Sequence, residues 1–195
     1  EIEALRNRQG SVLKAVLAII AAMFLFEGGA GILAHSTALL ADSLDMLGDS
    51  LVYGFSLYVL GRGERWQSIS ALLKGLIMAG FGLYVLGDAA YRILYPVLPA
   101  AKAMGGVGLL ALLANSVCLT LLWRHRGDDI NMHSVWLCSR NDIIANTSVL
   151  LAGAGVWLTG SGAPDIIVGL LIALVFLRSA VHVLVRAFRH LYRAS

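Results

Sequence analysis

Hydrophobic residues run along the chain in six long blocks separated by short polar or proline-containing breaks. The blocks cover residues 11–33, 38–60, 66–92, 101–123, 134–158 and 164–188. Each reaches the ~20 predominantly apolar residues in length that a helix needs to cross a bilayer. The first break is Ala34-His35-Ser36-Thr37, and the second is the charged run Gly61-Arg62-Gly63-Glu64-Arg65. Tyr95-Pro96 and Pro99 end the third block, because proline stops a helix and biases its predecessor away from helical geometry. Arg124 to Asp129 form a polar turn, and Thr159 to Pro164 another, with Pro164 suited to a first helical turn. The pattern predicts an all-α fold: a polytopic membrane protein, a six-transmembrane-helix bundle, in one transmembrane domain over residues 1–195.

Composition supports the same reading. Of the 195 residues, 58% are hydrophobic and 14% are charged, against ~25% charged in ordinary soluble domains. Mean hydropathy is +0.79. Such a chain is not disordered, a coiled coil or a nucleic-acid-binding domain. Two cysteines, both inside apolar runs, do not make a disulfide framework. The first block lacks a small-residue cleavage site and is long enough to span, so it reads as a helix rather than a signal peptide. The net charge of +3 is sorted by position. Arg6, Arg8, Lys14, Arg62, Arg65, Arg124, Arg126, Arg186, Arg189 and Arg193 fall on the side of the N-terminus, and little more than Arg92 and Lys102 on the other. The positive-inside rule then places both termini in the cytoplasm, as an even number of spans requires.

The acidic residues change the picture. Six of the 12 Asp and Glu residues (Glu27, Asp42, Asp45, Asp49, Asp88 and Asp142) fall inside the predicted spans, where each carboxylate costs about 2.5–3.5 kcal/mol on insertion scales. Spacings of three and four put Asp42, Asp45 and Asp49 on one helical face. Cys138 and Asp142 are likewise four apart on the fifth block. Together the two helices offer three carboxylates and a sulfur from Asp45, Asp49, Cys138 and Asp142, a set able to surround a tetrahedral divalent ion. Plainer readings stand beside this one. An intramembrane Asp can pair with a cation such as Arg140, Arg178 or Lys74. Asp42 can be a polar residue near the start of its helix. Glu27 and Asp88 can be interhelical hydrogen-bond partners, and Cys118 a small hydrophobe.

The segment His35-Ser-Thr-Ala-Leu-Leu-Ala-Asp-Ser-Leu-Asp45-Met-Leu-Gly-Asp49 resembles the second transmembrane helix of the cation diffusion facilitator family. Trp136-Leu-Cys138-Ser-Arg-Asn-Asp142, followed by Val149 to Gly153, is similar to the fifth. Ala163-Pro164-Asp165 through Ala180 is similar to the sixth. Glu27 with Gly28-Gly29, and Asn115, also stand where members have such residues. The resemblance covers nearly the whole chain. It implies a six-helix antiporter that exports divalent metal ions in exchange for protons, with a metal site at Asp45, Asp49, Cys138 and Asp142. It also implies a homodimer, in a bacterial inner membrane, with no prosthetic group and no enzyme activity. Two departures stand out: Cys138 and Asp45 occupy positions where the family usually has histidine. The chain stops soon after the sixth block, so the family's cytoplasmic C-terminal domain is expected to be missing, which puts dimerisation in doubt. The family's histidine-rich loop is reduced to His125 and His133.

Sulfur among carboxylates disfavours Mg2+, Ca2+ and Mn2+ and accepts Zn2+ and softer ions. The expected cargo is therefore Zn2+, with Cd2+ as well, and Fe2+, Co2+ and Ni2+ as further candidates. The alternative is a non-transporting metal sensor or partner subunit with the same fold. An intramembrane metalloenzyme, for example a hydrolase with a catalytic Zn2+, is disfavoured, since the chain has no HExxH pattern.

Overall fold

The computed structural model describes the backbone of residues 2–59, 64–124 and 130–193, and the side chains of residues 10–54, 69, 72–124, 136, 139–185 and 188. Those residues form six helices and no strand: α1 (Ile2–Leu33), α2 (Thr37–Val59), α3 (Glu64–Leu94), α4 (Ala101–Trp123), α5 (Ile130–Thr159) and α6 (Ala163–Arg193). Several extend past the apolar blocks. α1 begins at Ile2 rather than near Ser11, and α6 runs to Arg193. Helical hydrogen bonding continues beyond the apolar stretch because the polar residues there are not helix breakers.

The start of α1 and the end of α6 lie on one face of the bundle. The α1–α2, α3–α4 and α5–α6 connections meet on the other, the distal face. There Ala100 N–H donates to the Ala34 carbonyl at 2.9 Å, and Gly162 packs against Val97 and Pro99. The Ala34–Thr37 break is a tight reversal. His35 takes a left-handed conformation (φ 52°), and the Ser36 N–H bonds back to the Gly31 carbonyl at 2.9 Å. This six-to-one bond closes α1 in the manner of a Schellman turn.

Three antiparallel pairs, α1 with α2, α3 with α6 and α4 with α5, make the most extensive contacts, and α2 alone touches four other helices. The acid-bearing helix is thus the centre of the bundle. Three apolar clusters surround it: Met46 and Tyr53 pack with Ile20 and Ala111, Leu44 with Met78 and Phe176, and Leu39 with Met104 and Val149. Cys118 sits in the first cluster as an apolar side chain. Gly75 and Gly153 meet Leu184 and Met104 across helix pairs. The outside is apolar too, with Leu25, Leu94, Leu151, Trp157 and Val175 exposed.

Five helices (α1, α3, α4, α5 and α6) contain segments long and apolar enough to cross a membrane. α2, with its three aspartates, falls outside that group. The chain is an integral membrane protein whose helix of three aspartates is packed among other helices. Such packing is the arrangement in which intramembrane carboxylates are tolerated.

The distal end of α2 is held by a polar network. The first three N–H groups of α2, which no intrahelical carbonyl can satisfy, all have partners, and the fourth makes the first helical bond. Thr37 and Ala38 donate to the Asp165 carboxylate of α6 at 2.7 and 3.1 Å. Leu39 donates to Ser36 Oγ at 3.1 Å and Leu40 to the Ser36 carbonyl at 3.2 Å. Ser36 Oγ itself donates to Asp165 at 2.6 Å. Thr37 Oγ1 extends the network to Asp88 at 3.1 Å, and Arg92 grips Asp88 with two bonds of 2.6 and 2.9 Å. Asp88 is therefore the interhelical hydrogen-bond partner that the sequence suggested. Gly169 permits the close approach: a Cβ there would lie 2.7 Å from the Thr37 backbone.

Candidate metal centre

α2 positions the first half of the centre. Its helical repeat turns Asp42 and Asp49 inward, 1% and 8% exposed, with Asp45 partly buried between them. Tyr53, one turn beyond Asp49, is also buried and directs its hydroxyl toward Asp49 Oδ2 at 3.4 Å. α5 supplies the second half, with Asp142 at 4% exposure and, one turn away, Asn146 at 0%. Asn146 Nδ2 donates to the Asp142 carbonyl at 2.6 Å.

Asp142 lies in the electrostatic field of Asp49 first, then Asp45, then Asp42. Asp45, Asp49 and Asp142, three of the four residues expected to form the site, thus lie in one another's neighbourhood across the α2–α5 contact without converging on a common point. The fourth, Cys138, is on α5 one turn from Asp142, and its side chain lies outside the described residues. So do the side chains of His125, His133, Arg6, Arg8, Arg62, Arg65, Arg126, Arg186, Arg189 and Arg193. Among the described residues, no three His, Cys, Asp or Glu side chains converge closely enough to hold an ion.

Two of the cation partners weighed from sequence, Arg140 and Arg178, face outward. Arg140 is exposed and stands over the Trp136 ring at 5.7 Å, and Arg178 is exposed. Glu27 of α1 is fully buried, and its nearest polar neighbour is the Asp42 carboxyl. The expected interhelical partner of Glu27 is thus a second carboxyl. Asp42 does lie near the start of α2, in its second turn, but it is buried and faces inward.

Further buried polar groups cluster on α4 and α5. Asn115 Nδ2, Ser139 Oγ and Asn146 Oδ1 are buried with no hydrogen-bond partner among the described residues. Asn146 and Ser139 were missed by the sequence reading. Asn146 follows Asp142 by four, so the same helical-face argument that paired Cys138 with Asp142 would have reached it.

A buried carboxylate cluster on two contacting helices at the heart of an apolar bundle defines an intramembrane cation-handling domain. The chain belongs to the cation efflux family: the family's transmembrane domain matches residues 13–192. Among curated relatives it is similar to the metal cation efflux system protein CzcD of Cupriavidus metallidurans, 22% identical over 88% of this chain and 60% of the relative. It is also similar to the zinc transporter ZitB of Yersinia pestis, 26% identical over 96% and 65% respectively. A cadmium, cobalt and zinc/H(+)-K(+) antiporter of Bacillus velezensis is 24% identical over 91% of this chain and 62% of its own length. The chain spans roughly three-fifths of the length of these relatives.

Proposed function

We propose that this chain moves divalent transition-metal cations out of the cytoplasm, Zn2+ first and Cd2+ as well, by exchange with protons. The cargo would bind at Asp45, Asp49, Cys138 and Asp142, between α2 and α5. The observation that carries this reading is the burial of Asp49 and Asp142 in each other's field at the centre of the bundle. Like charges held together in a low-dielectric interior need a counter-ion, and cargo supplies one. The printed substrates of the relatives, zinc for one and cadmium, cobalt and zinc for another, support the metal class.

Proton coupling follows from ligand chemistry. Carboxylates and thiols bind a metal in their deprotonated forms, so loading releases protons and protonation favours release. A site that alternates between the two faces would therefore exchange metal for protons. The proton gradient across a bacterial inner membrane would then drive efflux. A homodimer is the expected assembly.

The test is uptake into proteoliposomes loaded with a Zn2+-sensitive dye, with an inside-acid gradient imposed. Wild type should accumulate Zn2+ and Cd2+ and release protons from the lumen. Asp49→Ala should abolish both fluxes, and Cys138→Ser should shift the preference away from Cd2+. Zn2+ binding without any flux would favour the sensor or partner-subunit reading.

A further inference from the structure

We infer that Glu27 and Asp42 form a second divalent-cation site, an all-oxygen one, between the α2–α5 centre and the distal face. The inference rests on the transport reading for the direction of travel but not for the existence of the site.

Geometry places the pair together. Gly28, next to Glu27, packs on Ser43, next to Asp42: a Cβ at Gly28 would stand 3.4 Å from Ser43 Oγ. Glu27 and Asp42 lie within hydrogen-bonding range of each other. Asp42 is seven residues nearer the distal end of α2 than Asp49, or ~10 Å at the helical rise. Asp45 is only three residues from Asp42, and Asp142 lies in the field of both Asp42 and Glu27, so the pair borders the central site on its distal side.

The second observation is the state of the oxygens. Glu27 is 0% exposed, and both of its carboxylate oxygens lack a hydrogen-bond partner among the described residues. Asp42 is 1% exposed, and its Oδ2 lacks one too. Buried carboxylates ordinarily collect backbone or side-chain donors. Asp165, in the same bundle, accepts three such bonds. Glu27 and Asp42 instead turn toward each other. Among the described basic groups, Arg92 holds Asp88, Arg140 covers Trp136, and Lys14, Lys102 and Arg178 are exposed.

Two facing carboxylates without donors present up to four oxygens of one sign, a ligand set for a hard or borderline divalent cation. Without sulfur, the pair lacks the discrimination against Mn2+ that Cys138 would give the central site. Asn146 lies on the way. Its Oδ1 is buried without a partner, one turn of α5 toward the distal face from Asp142. A cation leaving Asp49 and Asp142 would meet acceptor oxygens at each step toward Glu27 and Asp42.

The experiment uses Mn2+ as probe on the whole chain in detergent, in an Asp49→Asn/Asp142→Asn background that removes the central site. One Mn2+ per chain should remain bound, read by electron paramagnetic resonance and by metal analysis after dialysis. Adding Glu27→Gln or Asp42→Asn should weaken it by about tenfold or more. Absence of bound Mn2+ in the background protein, or binding indifferent to both further changes, would overturn the site. Infrared difference spectra of the wild type give a readout that needs no variant. Mn2+ should shift carboxylate bands, and one of those shifts should vanish in Glu27→Gln. A carboxylic-acid band that survives saturating Mn2+, with no Glu27-dependent shift, means that the pair holds a proton instead and sinks the proposal. The central-site reading fails separately, through transport by Asp49→Ala.

Discussion

Replacing Asp165 with Ala should destabilise the bundle by about 3 kcal/mol, through the distal end of α2 rather than through α6. Asp165 is fully buried and accepts from Ser36 Oγ, Thr37 N–H and Ala38 N–H at 2.6, 2.7 and 3.1 Å. Removing a capping side chain costs ~0.5–2 kcal/mol, and each buried donor left without a partner costs ~1–3 kcal/mol. The Ser36 hydroxyl can rotate to another acceptor, but the two backbone N–H groups are fixed by the helix. Two stranded donors plus lost favourable charge at a helix N-terminus, ~0.5 kcal/mol, give the figure of about 3 kcal/mol. Asp165→Asn keeps one carbonyl oxygen but turns an amide N–H toward donors, so it should recover less than half of the loss. The assay is reversible unfolding in mixed micelles by SDS titration, followed by circular dichroism. Ser36→Ala removes one of the three bonds to Asp165 and the cap on Leu39. A double-mutant cycle of Ser36→Ala with Asp165→Ala should therefore show coupling above ~1 kcal/mol. An Asp165→Ala protein within ~0.5 kcal/mol of wild type would refute the reasoning, since then water, not Asp165, satisfies the start of α2.

Gly169→Val should prevent the α2–α6 crossing, because even a Cβ at Gly169 would stand 2.7 Å from the Thr37 backbone. The expected loss, ~1–3 kcal/mol or more, is read by the same titration. Arg92→Ala should leave Asp88 with only the Thr37 hydroxyl and destabilise the distal network by ~1.5–3 kcal/mol; a Lys at the same position should rescue only part, lacking the two-pronged grip. Zn2+ affinity, measured by competition with a chromophoric chelator, should strengthen as pH rises, by about tenfold per pH unit for each proton displaced. A flat profile from mildly acidic to neutral pH would mean that loading displaces no protons.

The apolar blocks made the helices legible because lipid imposes one constraint along the whole chain: a backbone that cannot meet water must satisfy itself, and here it does so as helices. The Asp42, Asp45, Asp49 face was legible for a related reason, since helical periodicity converts sequence spacing into shared direction without tertiary knowledge. What the sequence hid was pairing between elements. Asp165 was legible only as part of the segment similar to the family's sixth helix, yet it serves the start of α2 at sequence separations of 127 and 128. Glu27 read as an interhelical hydrogen-bond partner, but nothing in the pattern of α1 says that the neighbour is a carboxyl on α2. Periodicity gives direction within a helix; the register between helices comes from packing, here from Gly28 against Ser43 and Gly169 against Thr37. That register sorts the acids. Asp88 and Asp165 meet donors at the distal face and lock α2, α3 and α6 together. Asp49, Asp142, Asp42 and Glu27 meet one another in the interior, and any charge they carry there must be balanced by something that comes and goes.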